Sequence, residues 1–239
     1  MLRLICASIF AFASAPILFA CGTCSPTYPA PYIPPDVGAE YVWGYSTCSW
    51  VLEPCSEAGC SSPIIIDTDG TGFHLTSAAD GVKFDFYGNG TPIQIAWTAK
   101  GSKNGWLALP RNGQITSARD LFGNLTAQDL TKSQSPNGFA ALDIYDTTAY
   151  GGNNNGMIDP GDAIWPSLRV WIDTNHDGIA QPEGLRTLGE IGIERILLRY
   201  ELSQYTDQYG NHFRYRGHLI PVRGDNVDRK IFDVFLATQ

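Results

Sequence analysis

Two stretches of the chain place oxygen-bearing side chains at alternate residues. In Asp173-Thr174-Asn175-His176-Asp177-Gly178-Ile179-Ala180-Gln181, carboxylate or amide oxygens fall at the first, third and fifth positions and a glycine at the sixth. Ligands at every second residue curl around one hard cation, and the glycine takes the sharp turn, as in an EF-hand-type calcium loop. Ile179 would add a backbone carbonyl at the seventh position and Gln181 a side-chain or water-mediated contact at the ninth. The twelfth position, where a bidentate glutamate completes such a loop, is Gly184, with Glu183 one residue early. The ion is therefore expected to bind weakly, with a dissociation constant of order 10⁻⁴ to 10⁻³ M.

The second stretch has Asn153, Asn155, the Met157 carbonyl, Asp159 and Asp162 at the third, fifth, seventh, ninth and twelfth positions. Its first position is Gly151. Asp146 lies five residues further back, so the spacing predicts that Thr147–Gly151 loops out and returns Asp146 to the ion. Three poorer repeats precede these two. Asp67, Asp69 and Thr71 have too few ligands alone and could share an ion with Asp85 or Asn89. Residues 108–115 have Ala108 and Pro110 where ligands belong, and read as a loop that keeps the shape without the ion. Charge placement agrees with this ranking. Between Ser133 and Leu185 stand seven acids (Asp143, Asp146, Asp159, Asp162, Asp173, Asp177 and Glu183) against one base, Arg169. Carboxylates packed this way repel one another without a counter-ion. The whole chain carries a net charge of −8, which argues against a nucleic-acid partner.

The elements that must position these loops are short. Asn137–Tyr145 reads as a helix with Phe139, Leu142 and Tyr145 on one face, and Pro182 as the start of another with Leu185 and Leu188 inward. Ile64–Ile66, Val82–Phe86, Ile93–Trp97, Leu168–Ile172, Ile193–Tyr200 and Ile231–Leu236 read as strands. A turn at Tyr209–His212 joins Leu202–Tyr205 to Phe213–Arg216 as a C-terminal β-hairpin. The expected fold class is α+β, with short strands and helices organised around EF-hand-like Gly/Asx calcium loops over residues 63–239.

The first 20 residues, with Arg3 ahead of an apolar run to Leu18, are expected to be a secretory signal. Leu18-Phe19-Ala20-Cys21 looks like a lipobox, in which Cys21 would be lipidated and tie the chain to a membrane; cleavage after Ala20 with free secretion is the alternative. Residues 21–62 form a Pro- and Cys-rich tether in which Cys24, Cys48, Cys55 and Cys60 suit disulfides of open connectivity. Either route places the chain outside the cytoplasm.

Nothing in the sequence matches a nucleophile elbow, a P-loop or a zinc-protease spacing, and His176 reads as an exposed loop residue. Trp97, Trp106, Trp165 and Trp171 suit core packing better than a carbohydrate platform.

The order of several short motifs resembles a known family. They are Ser62–Gly70 (Ser-Pro-Ile-Ile-Ile-Asp-Thr-Asp-Gly), Phe84-Asp85, Gly105–Leu107, Asp120–Asn124, Asn137–Leu142, Leu168–Asp173 and Leu185–Leu188. The series is similar to the calcium-dependent self-processing module of iron-regulated RTX proteins and to bacterial secreted proteins with EF-hand-like loops. The resemblance implies an extracytoplasmic calcium-binding module. In self-processing members calcium drives cleavage of an Asp-Pro bond at the leading edge of the module. The matching position here is Ser62-Pro63, which has no carboxylate, and the chain's one Asp-Pro pair is Asp159-Pro160. The expected function is thus calcium binding that orders or stabilises the fold, without enzymatic activity. A calcium-triggered autoprotease and a cell-surface adhesin or envelope scaffold with structural calcium are the alternatives.

Overall fold

The structure, a computed structural model, describes residues 39–44, 49–54, 61–129 and 136–238. The signal, Cys21 and the four tether cysteines lie outside the described residues. In chain order the strands are β1 (Ala39–Gly44), β2 (Ser49–Pro54), β3 (Ile64–Asp67), β4 (Val82–Phe84), β5 (Ile93–Ile95) and β6 (Asn104–Ala108). The α-helix α1 (Gly138–Asp146) follows. Then come β7 (Met157–Ile158), β8 (Arg169–Trp171), β9 (Leu185–Arg186), β10 (Ile193–Thr206), β11 (His212–Pro221) and β12 (Ile231–Phe235).

Eight of these strands form one sheet in the order β7-β10-β11-β12-β3-β6-β8-β9, with every neighbouring pair antiparallel. β3 lies inside the sheet, and both of its faces are covered, which is why its sequence is an unbroken Ile64-Ile65-Ile66 run, all buried. Alternation along the strands then sorts side chains into two cores. On one face Ile65, Trp106, Trp171 and Phe232 pack with the β4–β5 hairpin residues Val82, Phe84 and Ile95. On the other face Ile64, Ile66, Leu107, Val170 and Ile231 pack against Phe139, Ala141 and Leu142 of α1. At Gly105 an added Cβ would lie 2.5 Å from Val170 Cγ1, so the close approach of β6 to β8 requires glycine there.

The expected α+β class is overturned. The fold is mostly β, with one α-helix among the described residues, and no loop is framed by two helices as in an EF-hand. The helix expected from Pro182 is a single 3-10 turn, Pro182–Gly184, and Leu185–Arg186 leaves it as β9 to pair with Val170 and Trp171. Sheet pairing has overridden the local helix signal at Pro182, because Leu185 joins the tryptophan-lined core from the strand side. The helix at Asn137 does form, one residue on, with Asn137 as its cap. Its carboxamide oxygen accepts the N–H groups of Phe139 and Ala140, both at 3.0 Å. The C-terminal hairpin is present as β10–β11, longer than the sequence suggested. Among the described residues no helix is long and apolar enough to cross a membrane.

Candidate cation-binding loops

The two best loops of the sequence sit at strand ends. Asp173, Asn175, Asp177, Ile179, Gln181 and Glu183 lie on the β8–β9 connection, and Asn153, Asn155, Met157, Asp159 and Asp162 run from beyond the C-terminus of α1 through β7. They are built alike, rung for rung. Asp173 accepts the N–H groups of Asp177 (3.3 Å) and Gly178 (2.9 Å), the fifth and sixth residues of its loop, and that of His176 (2.9 Å). Asp146 does the same in the other loop, accepting Asn155 N–H at 3.0 Å and Gly156 N–H at 2.8 Å. Thr147–Gly151 is looped out as a 3-10 turn, Thr148–Tyr150, so that the last residue of α1 becomes the first of the loop. At the next rung Ile179 N–H donates to Asp177 and Met157 N–H to Asn155, both at 2.9 Å.

Backbone handedness repeats as well. His176 and Asn154 stand at φ 64° and 56°, and Gly178 and Gly156 at 72° and 78°. Left-handed backbone at these two rungs turns the chain twice within one loop.

The loops differ at their ends. Asp162 occupies the twelfth position of the Asp146 loop and is 2% exposed; its Oδ2 accepts Asp159 N–H at 2.7 Å. Its Oδ1 is buried without a hydrogen-bond partner among the described residues. Burial pushes the Asp162 carboxyl above the usual range. The N–H groups of Asp159 and Asn153 pull it back, and the nearby charges of Asp146 and Asp159 add to the rise. In the Asp173 loop, Glu183 lies exposed on the 3-10 turn and Ile179 is 62% exposed. The amide nitrogens of Asn175 and Gln181 instead reach Asp177 Oδ2 at 2.8 and 2.9 Å. Asn155 Nδ2 likewise meets Asp159 Oδ2 at 3.0 Å. Such amides present oxygen rather than nitrogen after a half-turn about their terminal bond.

Among the described residues no group of three or more His, Cys, Asp or Glu side chains forms a cage for a metal. A cation in either loop would therefore draw on amide and backbone carbonyl oxygens beside the carboxylates, the donor set of a hard ion such as calcium. The Asp146 loop fits such an ion best, since a buried carboxylate oxygen stands there unpaired.

The remaining repeats close on themselves. Asp67 accepts Gly70 N–H and Gly72 N–H, and Asp85 accepts Asn89 N–H and Gly90 N–H. The loop at 108–115 carries its own cation: Arg111 Nε lies 3.3 Å from Asp120 Oδ1, while Asp120 Oδ2 accepts the N–H groups of Thr116 and Ser117. His176, expected to face solvent, is half-buried, with Nδ1 at 2.6 Å from the Thr98 carbonyl and Nε2 at 2.8 Å from that of Asp80.

Sequence spacing gave no sign of two further polar contacts. Trp97 donates its indole N–H to Asp173 Oδ2 at 2.8 Å, and the two residues are 76 apart in the chain. Asp233 on β12 is fully buried, accepts Gly138 N–H at 2.5 Å and keeps Oδ1 unpaired among the described residues. Burial lifts its carboxyl to about 7, against the pull of Gly138, Ser62 and Arg214. An aspartate in the alternating Ile231–Phe235 strand was the available signal, because that position faces α1.

A family model described as the SPM domain matches residues 64–237. The iron-regulated protein FrpA of Neisseria meningitidis serogroup C is 32% identical over 179 residues, covering 73% of this chain. The chain spans 15% of the length of that relative.

Proposed function

The chain belongs to the SPM-domain family and is related to iron-regulated FrpA-type proteins, and on that premise we propose that it is a calcium-binding module whose ion orders the Asp146–Asp162 loop. The observation that carries this reading is the unpaired, buried Oδ1 of Asp162 beside Asp146 and Asp159. A buried carboxylate oxygen without a partner costs stability, and a divalent cation removes both that cost and the repulsion among the three acids. The ligands proposed are Asp146, Asn153, Asn155, the Met157 carbonyl, Asp159 and Asp162. The Asp173 loop, with Asn175, Asp177, the Ile179 carbonyl and Gln181, is a second and weaker site, because Glu183 lies exposed one residue short of the twelfth position.

The role proposed is structural and non-enzymatic, in an extracytoplasmic protein that is secreted or anchored through a lipidated Cys21. The autoprotease alternative draws less support. At Asp159-Pro160 the carboxylate is held by Gly161 N–H at 2.7 Å on one oxygen and by Asn155 Nδ2 on the other. Both bonds restrain it from attacking its own peptide carbonyl. Incubation with calcium followed by intact-mass measurement should show one undivided species; a fragment ending at Asp159 would make the protein a protease.

Calorimetric calcium titration tests the binding itself. Wild type should show a tighter and a weaker site, with Asp162→Asn abolishing the tighter one and Asp173→Asn the weaker. No heat of binding in wild type at millimolar calcium would end the proposal.

A further inference from the structure

Trp97 and Thr98 hold the Asp173 loop from one side. The Trp97 side chain is 0% exposed and its indole N–H reaches Asp173 Oδ2 at 2.8 Å; Asp173 is itself 1% exposed. The next carbonyl along the chain, Thr98 O, meets His176 Nδ1 at 2.6 Å, at the rung where the loop backbone is left-handed. Three backbone N–H groups already converge on Asp173, so the indole is its one side-chain donor among the described residues.

We infer that Trp97 is a positioning residue for the Asp173 loop: its indole N–H fixes the carboxylate of the first ligand, and so sets the calcium affinity of that loop. This rests on the proposed reading that the loop takes an ion. The physical reason is orientational. The three N–H groups on Asp173 belong to its own loop and move with it, whereas the indole ties the carboxylate to the buried core, so its orientation is set before the ion binds. Outer partners of this kind are worth about 10- to 100-fold in metal affinity. Among the described residues no indole reaches the first carboxylate of the Asp146 loop, so the effect belongs to one loop only.

The aromatic cluster supplies its own control. Trp97 and Trp106 have ring centroids 4.8 Å apart, Trp97 and Trp171 5.4 Å, and all three rings are fully buried. The indole nitrogens of Trp106 and Trp171 have no hydrogen-bond partner among the described residues. Trp106→Phe therefore disturbs the same core as Trp97→Phe without releasing Asp173.

The test is a calorimetric titration with calcium alone on wild type, Trp97→Phe and Trp106→Phe, the weaker phase being assigned by its loss in Asp173→Asn. The expected result is a weaker phase shifted about 10-fold or more towards higher calcium in Trp97→Phe. Trp106→Phe should stay within about twofold of wild type, and the tighter phase should not move in either variant. Equal affinities for the two variants, in a protein whose wild type shows the weaker phase, would overturn the role of Trp97 alone. A wild type without that phase would overturn the binding reading for the loop and this inference with it. Should Trp97→Phe fail to fold, Trp97→Leu takes its place with Trp106→Leu as its control, and equal weaker phases in that pair would contradict the role equally.

Discussion

Asp162 and Asp233 are both buried aspartates with one oxygen unpaired among the described residues, yet they sit in different chemistry. Asp162 has two acids beside it, so removing its charge relieves repulsion in the ion-free protein. Asp162→Asn keeps the oxygen that Asp159 N–H needs and should leave ion-free stability unchanged or raised by up to about 1 kcal/mol, checked by urea unfolding in chelator. At Asp233 burial alone raises the carboxyl, to about 7, with no acid among the described residues adding to it. A folded-state value above the unfolded one means that the native chain holds the proton more tightly. Its contribution is fully present below about pH 4 and is lost as pH rises through about 7. Melting temperature measured from pH 5 to pH 8 should therefore contain a fall that Asp233→Asn removes; an identical pH profile for the two proteins would refute this. The alternate-residue oxygens were legible in the sequence because local spacing sets them. Asp233, Trp97 and the ties of His176 were not, because their partners come from strands far away in the chain.

At the scale of elements, each loop is only as good as the element that delivers its first residue. α1 delivers Asp146, and its start depends on Asn137, a fully buried cap that holds two N–H groups. Asn137→Ala should cost about 1–2 kcal/mol in chemical unfolding, and should weaken the tighter calcium phase as the helix end loosens. This helix was readable from its cap and its apolar period. The Pro182 helix was misread: Pro-Glu-Gly starts a helical turn, but the partner strand β8 offered Leu185 and Arg186 a ladder, and pairing won. Strand β6 escaped notice for a related reason. Asn104-Gly105 reads locally as a turn, and a strand covered on both faces shows no alternation. In the 108–115 loop Arg111 brings a guanidinium to Asp120. Arg111→Ala there should cost under about 1 kcal/mol, since Arg111 is largely exposed, and should leave calcium binding unaltered.

For the whole molecule, β3 is the common wall of two cores, with Ile65 facing the tryptophans and Ile66 facing the helix. Ile65→Ala and Ile66→Ala should each cost about 2–5 kcal/mol, read by chemical unfolding in chelator, although the two residues touch different cores. The α+β expectation failed at this scale because the helix signals were local and the sheet joins segments from both ends of the chain, β12 beside β3. Six of the seven acids between Ser133 and Leu185, all but Asp143 inside α1, stand on two loops of one design at opposite ends of the sheet order, one leading into β7 and one joining β8 to β9.

If calcium completes the Asp146–Asp162 loop, melting in chelator and then in calcium will show it. At a hundredfold excess over the dissociation constant the ion should stabilise wild type by about 2.7 kcal/mol. For a domain of this size that is a rise of about 5–10 °C. Asp162→Asn should lose most of that rise while melting normally in chelator. A wild type whose melting temperature ignores millimolar calcium, or an Asp162→Asn protein that responds as fully as wild type, would mean that calcium does not bind at Asp162.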